Sequence, residues 1–336
     1  MCTDRKAKEG KRQTRPWRPL DFEQATDIAD VVRLRRSLRR GMIATRVLTI
    51  VLLAAAVIVG VTPFALQWNT SRRLTSQTRL VNQRVLGWPY PKAENELKAA
   101  RGYNERLAAS GQPILGEAVD PFSDRAGGSS VSGNGDSAAS RDSEYQSMLD
   151  AGGGVMGAVS IPKISVNLPI YHGTSEQALA AGAGHLYGTS LPTGGTNTHA
   201  VITGHRGLVG APMFTRLDEL TDGDYVYIDV MGEKLAYAVD SITVIDPDDT
   251  SRLRVAPGQD RLTLMTCTPY GVNTHRLLVS GHRVSIPYPA PNPTDVYDAR
   301  MIAVAAAVTT FLLGLLIWLP SARRRKCMMR MRHARA

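Results

Sequence analysis

The sequence predicts a mainly β domain, a barrel or sandwich of about eight strands, held between two apolar runs long enough to cross a membrane. Three observations lead there. Short β-branched runs separated by turn residues fill positions 155 to 290: "AVSIPKISVNLPIYHG", "THAVITGHRG", "YVYIDV", "KLAYAVDSITVI", "RLTLMTC" and "RLLVSGHRVSI". "VLTIVLLAAAVIVGVTPFAL", Val47 to Leu66, and "MIAVAAAVTTFLLGLLIWLP", Met301 to Pro320, are free of charged side chains. Each matches the roughly 20 residues a helix needs to span a bilayer core. Finally, the formal charge of +10 is concentrated outside the middle of the chain, since residues 69–299 carry 19 basic against 24 acidic side chains.

Taken in order, residues 1–46 form a polar, basic segment whose Arg33, Arg35, Arg36, Arg39, Arg40 and Arg46 precede the first run. "RRRKCMMRMRHAR", within 321–336, follows the second. Basic residues beside a span stay on the cytoplasmic side, so both termini are expected inside, with the spans at 47–66 and 301–320 and the middle outside. The basic flanks then meet anionic lipid, and a mildly acidic middle argues against a nucleic-acid partner. The first run lies too deep in the chain, and lacks a small-residue cleavage site, for a removed signal peptide, so it is expected to remain as an anchor.

Residues 67–118 include "SRRLTSQTRLVNQRVLGWPYPKAENELKAARGYNERLAAS", a helix-forming composition interrupted at Gly87, Pro89 and Pro91. Two helices rising from the membrane are expected. Residues 119–154 are Ser- and Gly-rich, and Phe122 is their only large apolar residue over "AVDPFSDRAGGSSVSGNGDSAASRDS", a composition expected to form a flexible loop. The strands occupy 155–288, with short helical pieces at "SEQALAAGAGHLYG" and "GAPMFTRLDEL". A proline-rich stalk, 289–300, leads back to the second span.

Of three cysteines, Cys2 and Cys327 fall on the expected inner side, which leaves Cys267 without a disulfide partner in the outer domain. It lies in "TLMTCTPYGVNTHRLLVSGHR", where one β run ends at Cys267, Pro and Gly turn the chain, and another begins at Arg276. If the two strands are neighbours, a thiol and a fixed cation share one sheet edge. A thiol with an ordinary pKa of about 8.5 is a poor nucleophile at neutral pH and needs an activating base, most often imidazole. The outer domain offers His172, His185, His199, His205, His275 and His282. His205, where a β run stops at Gly204, is the one presented at a strand end. Most single histidines in a β domain are hydrogen-bonded structural residues. A zinc set of Cys267, His275 and His282 lacks the tight paired spacing of structural zinc sites, and no metal or cofactor is expected.

The Thr263 to Arg283 stretch closely resembles the signature of class C sortases, the pilin-polymerising transpeptidases of Gram-positive bacteria, whose pattern is TLxTCTPYGxNTHRLLVRGxR. "GAVSIPKISVNLPIYHGTSE", "GHLYGTSLPTGGTNTHAVITGHRGL" and "MFTRLDEL" extend the resemblance over about residues 145 to 288. It implies an eight-stranded sortase-type β-barrel with a helical and lid region before it and two flanking transmembrane helices. It also implies a catalytic trio of His205, Cys267 and Arg276. The family's Asp-Pro-aromatic lid falls on "DPF", with Asp120 facing the arginine and Phe122 covering the thiol. The implied partners are pilins bearing an LPXTG-like sorting signal and acceptor lysines, in the cell membrane and beside the cell wall. Ser280 stands where the family usually has a basic residue, and the Gly/Ser-rich connection after the lid is long. A housekeeping-type sortase acting on cell-wall peptide and a membrane-tethered cysteine protease are the competing readings. A non-enzymatic adhesin would not need Cys267.

Overall fold

A computed structural model describes residue 22 and residues 28–113, 115, 137–207, 211–287 and 302–314. Two helices come first. Helix α1, Ala29–Leu86, runs unbroken through the first apolar run with Pro63 inside it. Its most apolar eighteen-residue window has no buried residue, so those side chains have no protein cover. The anticipated break between helices occurs where Gly87, Pro89 and Pro91 stand, and α2 follows as Lys92–Ala109. The basic segment from Ala29, the first apolar run and the first of the two expected helices are thus one helix rather than separate pieces. An interior proline removes one backbone bond but does not end a membrane-type helix whose other backbone groups stay paired within it.

The second apolar run is helical over Ile302–Gly314, α6, which is shorter than a full span. The rest of that run, the tail from 321, the stalk at 289–300 and the first residues of the chain lie outside the described residues. The lid positions Asp120 and Phe122 do as well.

Helix α2 docks through one buried polar side chain. Asn104 donates through Nδ2 to the Leu191 carbonyl at 3.0 Å and accepts from the Leu191 N–H at 2.8 Å, matching one amide to another. Two short helices, α3 (Ala138–Arg141) and α4 (Ser143–Ser147), lead into the barrel. Each is capped by the side chain preceding it, Ser137 and Asp142. Tyr145 on α4 is buried at 1% exposure and bonds through its hydroxyl to His185 Nδ1 (2.9 Å) and the Gly173 N–H (2.8 Å).

Eight strands close into a barrel: β1 (Val155–Ile161), β2 (Val166–His172), β3 (Ala183–His185), β4 (Thr198–Thr203), β5 (Tyr225–Val230), β6 (Glu233–Ile245), β7 (Asp260–Thr268) and β8 (His275–Val284). Their order around the wall is β1-β2-β3-β4-β7-β8-β6-β5. Closure settles the choice between barrel and sandwich and leaves no unpaired sheet edge. A six-residue helix, α5 (Glu176–Ala181), lies between β2 and β3, and "TRLDEL" forms a 3-10 turn at Leu217–Glu219.

Two pairings are parallel, β2 with β3 and β4 with β7. The second positions the site, because parallel strands deliver their C-terminal ends to the same rim. Strand β4, "THAVIT", is buried at every position rather than alternately. Its inner side chains Ala200 and Ile202 join the main core, and its outer Val201 joins Leu186, Ile245, Leu253, Met265 and Leu278 in a second layer. A strand covered on both faces reads as a continuous apolar run.

Candidate active site

In the β7–β8 ladder Cys267 is directly opposite Arg276, the adjacency expected from the turn between them. In the parallel β4–β7 ladder Val201 pairs with Thr263 and Thr203 with Met265. The ladder ends there, with His205 two residues beyond Thr203 and Cys267 two residues beyond Met265 on the neighbouring strand. Cross-strand partners share a face, so Cys267 and Arg276 lie on one face, and His205 follows the end of β4 at the same rim.

The backbone around His205 is held on several sides. The Gly204 N–H donates to the Met265 carbonyl (3.0 Å) and the Thr266 hydroxyl donates to the Gly204 carbonyl (2.7 Å). The Phe214 N–H donates to the His205 carbonyl at 3.0 Å. Gly204 must lack a side chain, because a Cβ there would lie 2.6 Å from the Phe214 ring. Gly207 has φ of +82°, the left-handed region glycine enters without strain, and its N–H donates to Thr215 Oγ1.

Cys267 is a free thiol at 3% exposure, packed against Leu179 of α5. Helix α5 therefore forms one wall of the site. Arg276 is also 3% exposed, and its Nη1 donates to the carbonyls of Asn273 (3.0 Å) and His275 (2.9 Å). Those bonds orient the guanidinium before any ligand arrives. His205 is half-buried. The arrangement offers a nucleophile, a base and a fixed donor on one surface, the set that acyl transfer requires.

The other histidines are placed elsewhere. His185 is fully buried between Tyr145 and the Ser190 carbonyl, and burial lowers its pKa to about 4 against the opposing pull of that carbonyl. His199 is buried between the Arg254 carbonyl (2.9 Å) and Thr263 Oγ1 (2.7 Å), and burial likewise lowers its pKa. The His172 ring lies between the carbonyls of Gly154 and Met148. His282 bonds to Asp240, and His275 lies near Thr274 and Asp246. The conceivable zinc set is pulled apart, because His282 is opposite Arg261 at the far end of the ladder that Cys267 and His275 end. Ser280 accepts or donates a 2.7 Å bond with Thr263 Oγ1, which gives this substituted position an internal partner.

Arg206 had drawn no attention in the sequence. Its Nη1 donates to Thr268 Oγ1 (3.1 Å) and lies 3.4 Å from the Cys267 carbonyl, while Nη2 pairs with Asp218 at 2.6 Å. A charged residue following a histidine carries no pattern that would reveal such bonds. A cleft of about 750 Å³ between α2 and the loops 194–198 and 254–257 lies at the start of β4 and β7, away from the thiol.

A closed eight-stranded barrel with a thiol, an imidazole and a guanidinium at the shared rim of two parallel strands defines the thiol-dependent acyl-transfer class. A model of the sortase domain matches residues 159–284. The structure is similar to sortase C1 of GBS Pilus Island 1, with 38% identity and TM-score 0.55 over 68% of this chain and 100% of that one. It is also similar to sortase C-1 of S. pneumoniae (40%, TM-score 0.54, covering 64% and 99%) and to sortase C-1 of Actinomyces oris (44%, TM-score 0.50, covering 57% and 99%). Among curated proteins, Sortase D of Bacillus subtilis is 32% identical over 136 residues, 40% of this chain and 66% of that protein. Sortase A of Streptococcus agalactiae is 32% identical over 117 residues, 34% and 47% of the two chains. The match thus spans about half to two thirds of those curated relatives. The chain belongs to the sortase family of cysteine transpeptidases.

Proposed function

We propose that the protein is a class C, pilus-building sortase. It cleaves an LPXTG-like sorting signal between Thr and Gly and passes the acyl group, through a thioester on Cys267, to a lysine amine of the next pilin. The observation that carries this reading is the convergence of three strands: Cys267 opposite Arg276 on β7 and β8, with His205 just past the end of the parallel β4 at the same rim. The class C neighbours, among them sortase C1 of GBS Pilus Island 1, support the pilin assignment.

In the forward step, Cys267 Sγ as thiolate attacks the threonine carbonyl while His205 is held as imidazolium. Arg276, oriented by its two loop carbonyls, donates to the developing oxyanion. His205 gives its proton to the departing glycine amine, leaving the thioester. The incoming lysine amine then attacks the thioester carbonyl, His205 takes back a proton, and Sγ departs as an isopeptide bond forms. The "DPF" segment with Asp120 and Phe122 acts as the lid over this rim. The protein is membrane-bound through the run at 47–66 and the run at 301–320, with the barrel outside and both termini in the cytoplasm. Pilin precursors held in the same membrane meet the enzyme at a raised effective concentration.

The test is to incubate the full chain in detergent with an LPXTG peptide and look for the acyl mass increment on Cys267. The adduct is expected, and more of it when Asp120 and Phe122 are replaced by alanine. Its absence in both proteins defeats the reading. Adding a lysine-bearing pilin segment, a cell-wall peptide amine or water alone separates polymerising, housekeeping and protease chemistry by the product each yields.

A further inference from the structure

Strand alternation divides the catalytic rim into a front and a back. Cys267, two residues beyond Met265 on β7, lies on the face that carries Val201 and Met265, and His205 follows the end of β4 at the same rim. Arg206 and Thr268, one residue further along each chain, belong to the opposite side, at the mouth of the barrel. There the Arg206 guanidinium ties three segments together. Nη1 donates to Thr268 Oγ1 (3.1 Å) and reaches the Cys267 carbonyl (3.4 Å), so it grips the β7 backbone at the nucleophile. Nη2 pairs with Asp218 on the 3-10 turn (2.6 Å), and the guanidinium carbon lies 5.9 Å from the Tyr270 ring of the β7–β8 loop. The Arg206 side chain is only 7% exposed, against 51% for Asp218. The bonds to β7 are therefore the sheltered ones, whereas the pair with Asp218 is open to solvent and screened by salt.

The β4–β7 ladder itself ends at the Gly204 N–H to Met265 carbonyl bond. Beyond it, the Thr266 hydroxyl donates to the Gly204 carbonyl and the Arg206 guanidinium donates to Thr268 Oγ1, and both contacts join the His205 segment to the end of β7. Past the last rung of the backbone ladder, Arg206 adds a side-chain tie between the two segments, at the residue next to the imidazole.

We infer that Arg206 is a positioning residue: from behind the site it fixes the separation of the His205 and Cys267 backbones, and so holds the imidazole and thiol in the paired geometry that activates the nucleophile. It touches neither substrate nor the reacting atoms. The inference rests on the proposed thiol–imidazole chemistry and adds to it the device that keeps the pair together. Among the described residues, the other charged or titratable groups around the rim include Arg276 and His275 on β8, Asp246 beside His275, Tyr270 on the β7–β8 loop and Asp218 on the turn. Arg206 acts on the pair through the backbone rather than by its charge alone.

The pairing can be read without any sorting substrate, from the pH dependence of Cys267 alkylation by iodoacetamide in the full chain. Wild type, His205→Ala, Arg206→Met and Arg206→Lys are compared, with peptide turnover and melting temperature measured alongside. The expected result is that Arg206→Met shifts the alkylation profile from the wild-type curve toward that of His205→Ala. Its kcat should fall about tenfold with KM within about twofold, since misplacement by about 1 Å costs on the order of 10²-fold. Arg206→Lys, which keeps one donor for Thr268, should recover part of both. Should Arg206→Met fail to fold, Thr268→Val, which removes only the hydroxyl acceptor, should move the profile in the same direction by less.

An Arg206→Met or Thr268→Val protein with a lowered melting temperature but a wild-type profile and kcat would make the contact a brace for stability alone and overturn the inference. If His205→Ala alkylates like wild type, no pair exists, and the inference falls together with the reading beneath it. If the pair is present and Arg206 moves it, but no thioester forms on the LPXTG peptide, the assigned substrate fails and the positioning role stands.

Discussion

One face of β4, β7 and β8 carries a histidine-led trio at each end. Toward the start of β4 and β7, His199, Thr263 and Ser280 form a closed chain: His199 Nδ1 meets the Arg254 carbonyl, Nε2 meets Thr263 Oγ1, and that hydroxyl meets Ser280 Oγ. At the other rim, past the apolar layer of Val201, Met265 and Leu278, His205, Cys267 and Arg276 occupy the equivalent strands. The first trio satisfies itself with short polar bonds and is sealed, which burial reinforces by holding His199 toward its neutral form. The second lies near the rim where the β4–β7 ladder ends, the end at which the proposed chemistry takes place. Position along the strand, and not the histidine itself, separates a structural residue from a proposed catalytic one.

The comparison breaks first at the thiol. Cys267→Ala should abolish thioester formation, and His205→Ala should lower turnover by on the order of 10³-fold, with the melting temperature changed by no more than a few degrees. The equivalent change at the sealed end, His199→Ala, should do the reverse: a lower melting temperature, and kcat per folded molecule within about threefold of wild type. Turnover and thermal melts of the three proteins decide it. A His199→Ala protein that folds but is catalytically dead would erase the distinction.

Arg276→Lys comes next. The charge is kept, but the planar fork held by the Asn273 and His275 carbonyls is lost, so turnover should drop by about 10²-fold with little change in stability. A lysine variant of near wild-type rate would mean that charge alone suffices at this rim.

At the sealed end, Thr263→Val keeps the shape and deletes the hydroxyl shared by His199 and Ser280. Leaving those buried groups without that partner should cost about 1–3 kcal/mol, read as a shift of the denaturation midpoint, while kcat stays at the wild-type level.

Much of this contrast was legible in the sequence, and the remainder depended on pairings that sequence does not encode locally. β-branched runs and turn residues marked the strands, and a hairpin between Cys267 and Arg276 was enough to anticipate their adjacency. "GWPYP" marked the end of α1 because prolines cannot continue a helix. The parallel β4–β7 pairing was hidden, since it joins segments about sixty residues apart; His205 stood out among the six outer histidines only by its place at a strand end and by the family resemblance. The His199–Thr263–Ser280 chain was hidden for the same reason, each member coming from a different strand. Strand β4 shows no alternation because both of its faces are covered, so no pattern told which side chains look outward. The merging of span and helix in α1 was missed because the polar residues after Leu66 read as a new element, whereas a helix passes from lipid to water without a break in its own hydrogen bonds.

The smallest effect concerns proton uptake, and it separates buried histidines from one that must exchange protons. His185 is fully buried, and burial lowers its pKa from 6.5 to about 4. The unfolded chain therefore binds a proton at a pH where the folded protein does not, and stability is retained above pH 6.5 and lost as the pH falls from there toward 4. Between pH 7.5 and 5.5 this one residue should remove about 1 kcal/mol of stability. His199, shifted in the same direction, should add to the slope. His185→Gln should melt below wild type at pH 7.5, having lost its bonds to Tyr145 and Ser190, yet lose less on acidification. If its melting temperature fell as steeply as that of wild type between those two pH values, the acid sensitivity would belong to other groups, and a buried, neutral His185 would not be its source.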